Sequence, residues 1–260
     1  MNAPVARKRL RQPRVAEIVA ENLRSRILSG GLADGEQLPK QEELMAEFGV
    51  SPPCIREAFR ILETEGLITV LRGNVGGAII HLPQANTAGY MMGLVLQSRG
   101  VPLSDLSEAL RRLEPACAAQ AAGRSDRETT VLPKLRENIE ASMAALDDPD
   151  TFIGLARDFH TEIVKNCGNE TMALVVGTLE ALWSAQVDTL ARNASVHGTF
   201  GDRSVRLSLA REHERIYRAI EDGDARGAER AIQEHFTGHQ GERRHGFDTS
   251  KTVIAGALRL

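Results

Sequence analysis

Aromatic side chains make up only 4% of this 260-residue chain. Ala, Leu, Glu and Arg carry the composition instead, a bias that favours helices. Cysteine is almost as sparse: Cys54, Cys117 and Cys167 lie far apart with no CxxC spacing. That excludes a disulfide framework and a cysteine-based zinc site, and it fits a reducing cytoplasm. No run approaches the roughly 18 apolar residues of a membrane span, and no apolar segment follows the basic N-terminus as in a signal peptide. The expectation is a cytoplasmic protein with no membrane partner. With 42% apolar and 26% charged residues the chain is ordinary globular material, long enough for one large or two modest domains. A net charge of −3 and a pI near 6.2 do not announce a nucleic-acid binder. The charge is uneven, however: Arg7, Lys8, Arg9, Arg11 and Arg14 crowd an N-terminal stretch that lacks acidic residues. Such an arm binds phosphate or simply solvates a tail.

Apolar spacing divides the chain. Val15, Ile18, Val19, Leu23 and Ile27 mark a one-faced helix over 15–29. A short helix over 40–48 follows, with Leu44, Met45 and Phe48 inward, and Gly49-Val50-Ser51 turns into a third. Ser51 suits an N-cap, and proline is tolerated in a first turn whose amides have no intrahelical acceptor. Pro52-Pro53 therefore fix where the third helix begins, and it runs to about Glu65 with Ile55, Ala58, Phe59 and Leu62 as its stripe. Two β-rich runs, 67–71 and 78–80, flank the glycine-rich Arg72–Gly77 and read as a hairpin. Three helices and a hairpin make a winged helix-turn-helix. Beyond it only helices are expected, over 88–98, 104–123, 127–147, 150–167, 170–192, 203–222 and 225–241. The fold class is thus mainly α. Its parts are a basic arm (1–13), a winged helix-turn-helix (14–82), a linker (83–87), an all-α bundle for effector binding and dimerisation (88–242) and a loosely ordered tail (243–260).

A helix-turn-helix reads duplex DNA with the N-terminal residues of its second helix in the major groove. Here that helix presents Ser51, Cys54, Arg56 and Arg60 away from its apolar stripe. Arg56 is placed for a guanine edge or a phosphate, and Arg60 for the backbone. Arg72 and Gly73 in the wing and Arg14 ahead of the first helix complete the candidate DNA contacts.

These residues resemble a known family. Ile27-Leu28-Ser29-Gly30, Gly35-Glu36-Gln37-Leu38-Pro39, Gly49-Val50-Ser51, Ile55-Arg56-Glu57-Ala58, Leu62-Glu63 and Glu65-Gly66-Leu67-Ile68 follow the order of GntR-type DNA-binding domains. The remainder resembles the FCD effector domain of the FadR subfamily through Leu113-Glu114-Pro115, Phe159-His160, Gly168-Asn169, Glu212-His213, and Asp224 before Glu234-His235. The resemblance implies a transcriptional regulator, usually a repressor, that binds a pseudo-palindromic operator as a homodimer and answers to a small-molecule effector. Two departures stand out: Pro52 and Glu42 occupy positions where most members have DNA-contacting arginines. An operator unlike the commonest family half-site is expected.

In the bundle, His160 shares a helix face with Phe152, Ala156 and Ile163, His213 lies on the stripe Leu209, Ile216 and Ile220, and His235 continues Ala228, Ala231 and Ile232. Each alone suits a core histidine; three inward imidazoles on three helices also suit zinc, nickel or a related ion. The resemblance implies a divalent metal held by these histidines plus an aspartate, but that aspartate is replaced by Ala156, and Asp158 points about 200° away. An effector-holding arginine of many relatives is replaced by Leu110, leaving Arg111 beside it as the candidate for effector binding with the three histidines. Ala156 and Leu110 together point to an acyl or aromatic acid effector. Cys117, Met172 and Trp183 are candidates to line the pocket or to fill the core. Two other readings stay open: a metal-dependent hydrolase, against which no HExxH and no carboxylate base beside the histidines is evident, and an effector-blind DNA-binding dimer.

Overall fold

A computed structural model describes residues 14–71, 77–83, 85–194, 202–239 and 248–256. The chain separates into two compact units, with the division after residue 84.

The first unit contains α1 (Val15–Leu28), α2 (Gln41–Phe48), α3 (Pro52–Thr64), β1 (Ile68–Val70) and β2 (Ala78–Ile80). Gly49 closes α2 in the left-handed region, at φ 62°, which a side chain would resist. Pro52 and Pro53 occupy the first turn of α3, as expected. Leu23, Ile27, Leu44, Ile55, Phe59 and Leu62 are shut away from solvent where the three helices meet, each stabilising the unit by about 2 kcal/mol. The exposed pairs Arg26–Glu47 and Arg24–Glu65 contribute at most about 1 kcal/mol each. The helix arrangement therefore rests on the apolar core. The stripe of α1 differs from expectation. Ala16, Val19, Ala20, Leu23 and Ile27 are buried, whereas Val15 and Ile18 are both 57% exposed. The small alanines let α1 approach closely, and they set its face about a sixth of a turn from the one that the bulkier residues suggest.

β1 and β2 pair antiparallel with Ile68 opposite Ile80 and Val70 opposite Ala78. An additional edge escaped sequence reading: Gln37 bridges Ile79, and Leu38 donates its amide to Ala78. Gly77 is required here by its φ of 102°, which side chains rarely adopt; a Cβ would in addition push aside the flexible end of Gln37. Arg72 and Gly73 lie outside the described residues, as does the basic arm 1–13.

The second unit comprises α4 (Ala85–Ser98), α5 (Leu103–Gly123), α6 (Arg127–Thr130), α7 (Leu132–Ala144), α8 (Pro149–Lys165), α9 (Glu170–Ala194), α10 (Arg203–Glu221) and α11 (Ala225–His239). Three expectations are corrected. Helix α4 starts at Ala85, so no linker extends to 87. The helix expected over 127–147 breaks at Val131, because Pro133 lacks an amide proton and its ring excludes the carbonyl four residues back. Part of the tail is built into the bundle: Val253 is fully buried, and the amides of Leu103 and Ser104 donate to the carbonyls of Lys251 and Thr249. That segment is irregular, with turns on either side of a single bridge from Thr252 to Pro102, and so has no period to betray it. Among the described residues no helix is long and apolar enough to cross a membrane.

Candidate functional site

In the first unit, Gly49–Ser51 sets the start of α3, the expected reader helix. Its amphipathic pattern buries Ile55, Ala58, Phe59 and Leu62 and leaves Ser51, Pro52, Pro53, Arg56 and Arg60 exposed. Arg56 stands clear on the outer face. Arg60 is already engaged: its Nε and Nη2 donate to the two carboxylate oxygens of Glu57 at 3.1 and 2.9 Å. This bond holds the Glu57 carboxyl below its ordinary range. A fixed carboxylate beside Arg60 offsets its attraction for phosphate. Cys54 is half-buried against the first core rather than fully presented. Arg14 sits at the start of α1, where its amide donates to Glu17 at 2.9 Å. Glu42 is exposed in the first turn of α2, so that turn offers DNA a negative charge.

Thiol chemistry gives a direct check on α3. Cys117 and Cys167 are buried, and burial, followed by the charge of Cys167, pushes the Cys117 thiol up to about 12. Thiolate is the reactive form, so a maleimide should modify Cys54 alone in the native protein. Bound operator DNA is expected to slow that labelling at least about tenfold; equal rates with and without DNA would place α3 outside the groove.

In the second unit the three histidines converge from α8, α10 and α11. Ligand atoms of His160, His213 and His235 all lie within 4.8 Å of one another, and their ring centroids are 4.9–5.1 Å apart. His213 is 1% exposed and stacks on Phe159 at 4.2 Å. The carboxylates that sequence reading did not find are present. Glu114, buried on α5, accepts from His160 Nδ1, and Glu212 accepts from His235 Nδ1 at 3.1 Å. A carboxylate only accepts, so each of these Nδ1 atoms carries the proton and each Nε2 is left as a lone-pair donor. The two Nε2 atoms nevertheless face each other at 3.1 Å. One proton on either Nε2 makes this an N–H···N hydrogen bond; a divalent ion bound there instead would use both lone pairs. Tetrahedral zinc with nitrogens at about 2.0–2.1 Å sets those nitrogens about 3.4 Å apart, close to what is found. The donor set fits a borderline divalent ion. Ala156 is buried at the same wall and Asp158 faces solvent, so among the described residues no aspartate joins the three histidines.

Beside the histidines lies a cavity of about 150 Å³. Leu110, Ala156, Leu209, Trp183 and Phe236 supply apolar wall, as Leu110 and Ala156 led us to expect. Cys117 and Met172 pack into the core instead. Arg111 is not part of the wall: it pairs with Glu108 on its own helix. One residue is 100° of helix, and Leu110 takes the inward position. The wall also contains Ser107, Thr161, Ser184 and Glu180, none of them anticipated. Glu180 was legible in principle, since Val176, Glu180 and Trp183 share one helical face. It is 8% exposed, and burial, then the nearby charge of Glu114, raise its pKa well above the ordinary value.

A carboxyl whose folded-state pKa is raised contributes full stability only below its unfolded pKa. That contribution is lost as pH climbs toward the folded value, because only the unfolded chain releases the proton. Glu180→Gln should therefore melt at or above wild type, with the gap widening by on the order of several degrees between pH 5 and 8. Parallel melting profiles would contradict the assignment of a neutral acid.

Comparison with known proteins places both units. Residues 15–75 match the family described as bacterial regulatory proteins, gntR family, and residues 105–238 match the FCD domain. The HTH-type transcriptional repressor NanR of Klebsiella aerogenes is 30% identical over 238 residues, covering 90% of this chain and 85% of that one. NanR of Citrobacter rodentium is 30% identical over 240 residues, with the same coverage. Among solved structures, a Streptococcus agalactiae GntR protein aligns at TM-score 0.64 and 23% identity, over 85% of this chain and 97% of that one, a likeness of fold.

Proposed function

The chain belongs to the gntR family of bacterial regulatory proteins and carries an FCD domain, and we propose that it is a repressor binding a pseudo-palindromic operator as a homodimer under the control of a small carboxylate-bearing effector. The matched families and relatives are DNA-binding transcriptional regulators, not enzymes. Repression is carried over from the NanR relatives. The observation that carries the effector reading is the pair of Nε2 atoms at 3.1 Å, each with its opposite ring nitrogen held by a carboxylate, at the wall of a half-open cavity.

His160, His213 and His235 would hold a divalent ion, zinc or nickel by ligand type, with Glu114 and Glu212 fixing two of the rings. A bound ion supplies positive charge and an open coordination position suited to an effector carboxylate. The side chains around it shape what else fits. Occupancy of the pocket is proposed to shift the protein between arrangements that fit the operator and arrangements that do not.

For the homodimer, α4 exposes Met91, Leu94 and Val95 at three- and four-residue steps, and α9, packed beside it, exposes Leu174 and Val175. A second copy of the chain is the proposed occupant, because a pseudo-palindrome requires two readers related by a two-fold axis. Elemental analysis and native mass spectrometry of the purified protein test the reading together: we expect one zinc or nickel per protomer and a dimer mass. A metal-free monomer would overturn it.

A further inference from the structure

We propose that Glu180 determines effector specificity: its carboxyl group, with the hydroxyls of Ser107, Thr161 and Ser184 around the same cavity, takes up an uncharged, hydroxyl-bearing end of a monocarboxylate effector. This rests on the effector reading above and specifies its ligand class.

The argument begins with an energetic oddity. A carboxyl group 92% removed from solvent normally finds partners, because desolvation without compensation costs about 1–3 kcal/mol. Glu180 is buried to that degree, yet neither of its oxygens has a hydrogen-bond partner. The Thr161 hydroxyl lies near enough to ease its ionisation slightly, but outside hydrogen-bond geometry. Glu180 also lines the cavity. Its stripe neighbours on α9 explain the direction: Val176 is buried in the bundle core, and Trp183, one turn further on, lines the same cavity. The side chain is held in the wall by its helix and has no structural partner to justify the position.

Protonation supports the assignment. Burial and the Glu114 charge favour the neutral acid, which both donates and accepts a hydrogen bond. Three hydroxyl side chains on α5, α8 and α9 surround the same space. An acyl or aromatic end placed there would leave the acid unmatched, whereas a hydroxyl-bearing end would satisfy it. Sites built to hydrogen-bond a hydroxyl reject the analogue lacking it far more strongly than apolar sites reject a mismatch. The apolar residues Leu110, Ala156 and Leu209 then contact the carbon chain, not the effector's far end.

Two five-carbon monocarboxylates that differ only in hydroxyls test this: ribonate and pentanoate, titrated calorimetrically onto zinc-loaded protein. Wild type should bind ribonate at least about tenfold more tightly than pentanoate, the ratio that roughly 1.4 kcal/mol gives. Glu180→Gln, which keeps shape and a donor, should retain that preference. Glu180→Leu should lose ribonate binding at least tenfold and gain pentanoate binding. Pentanoate binding as tightly as ribonate, neither probe binding, or an unchanged ratio in Glu180→Leu would each overturn the assignment. Zinc titrated onto wild type alone tests the three-histidine reading separately: no zinc uptake sinks that reading, while zinc uptake with the wrong probe order sinks only the role of Glu180.

Discussion

His235→Ala should lower zinc affinity by more than about 100-fold, read by competition with a chromogenic chelator. Removing a carboxylate that merely orients a ligand costs about 10–100-fold in metal affinity, and removing the ligand itself costs more. His235 is the informative position because its Nε2 is one of the facing pair and its Nδ1 is tied to Glu212. His213 is less suitable, since it is stacked on Phe159 inside the bundle and its loss would also leave a cavity. Glu212→Gln provides the graded companion. It keeps the side-chain volume and an acceptor oxygen but removes the charge, and the expected loss falls between wild type and His235→Ala. Zinc binding unchanged in both variants would mean that the three imidazoles are a core cluster.

The second large effect is on DNA. Each bidentate arginine contact to a base is worth about 1–3 kcal/mol, and a dimer loses two of them in Arg56→Ala. Operator affinity should therefore fall at least about 30-fold, measured by fluorescence anisotropy at one fixed salt concentration. Arg60→Ala should cost much less, because Glu57 already holds that guanidinium in the free protein. The reverse order would move the reading edge of α3 by one turn.

Much of this was legible in the sequence, and the misses have physical causes. Helix periodicity, the glycine stops and the prolines of α3 located the reader helix, because those signals act within a few residues. The three histidines were legible for the same reason: each sits on an apolar stripe. Their carboxylate partners were not. Glu212 is the chain neighbour of His213, yet it lies 100° round α10 and serves His235 on the next helix, a pairing that only tertiary packing decides. Glu114 serves His160 across 46 residues in the same way. Arg111 misled because the residue next to Leu110 in sequence points 100° away from it on the helix. Residues 248–256 escaped because an irregular segment docked by its carbonyls onto the first turn of α5 has no local pattern of its own.

The central claim is that α2 and α3 insert a reader into duplex DNA as a symmetric pair. Selection from a random-sequence duplex pool by the purified chain tests it most directly. The expected product is a two-fold symmetric motif, distinct from the commonest half-site of the family, that an Arg56→Ala chain fails to enrich. No enriched motif, or the same motif enriched equally by Arg56→Ala, would contradict the account.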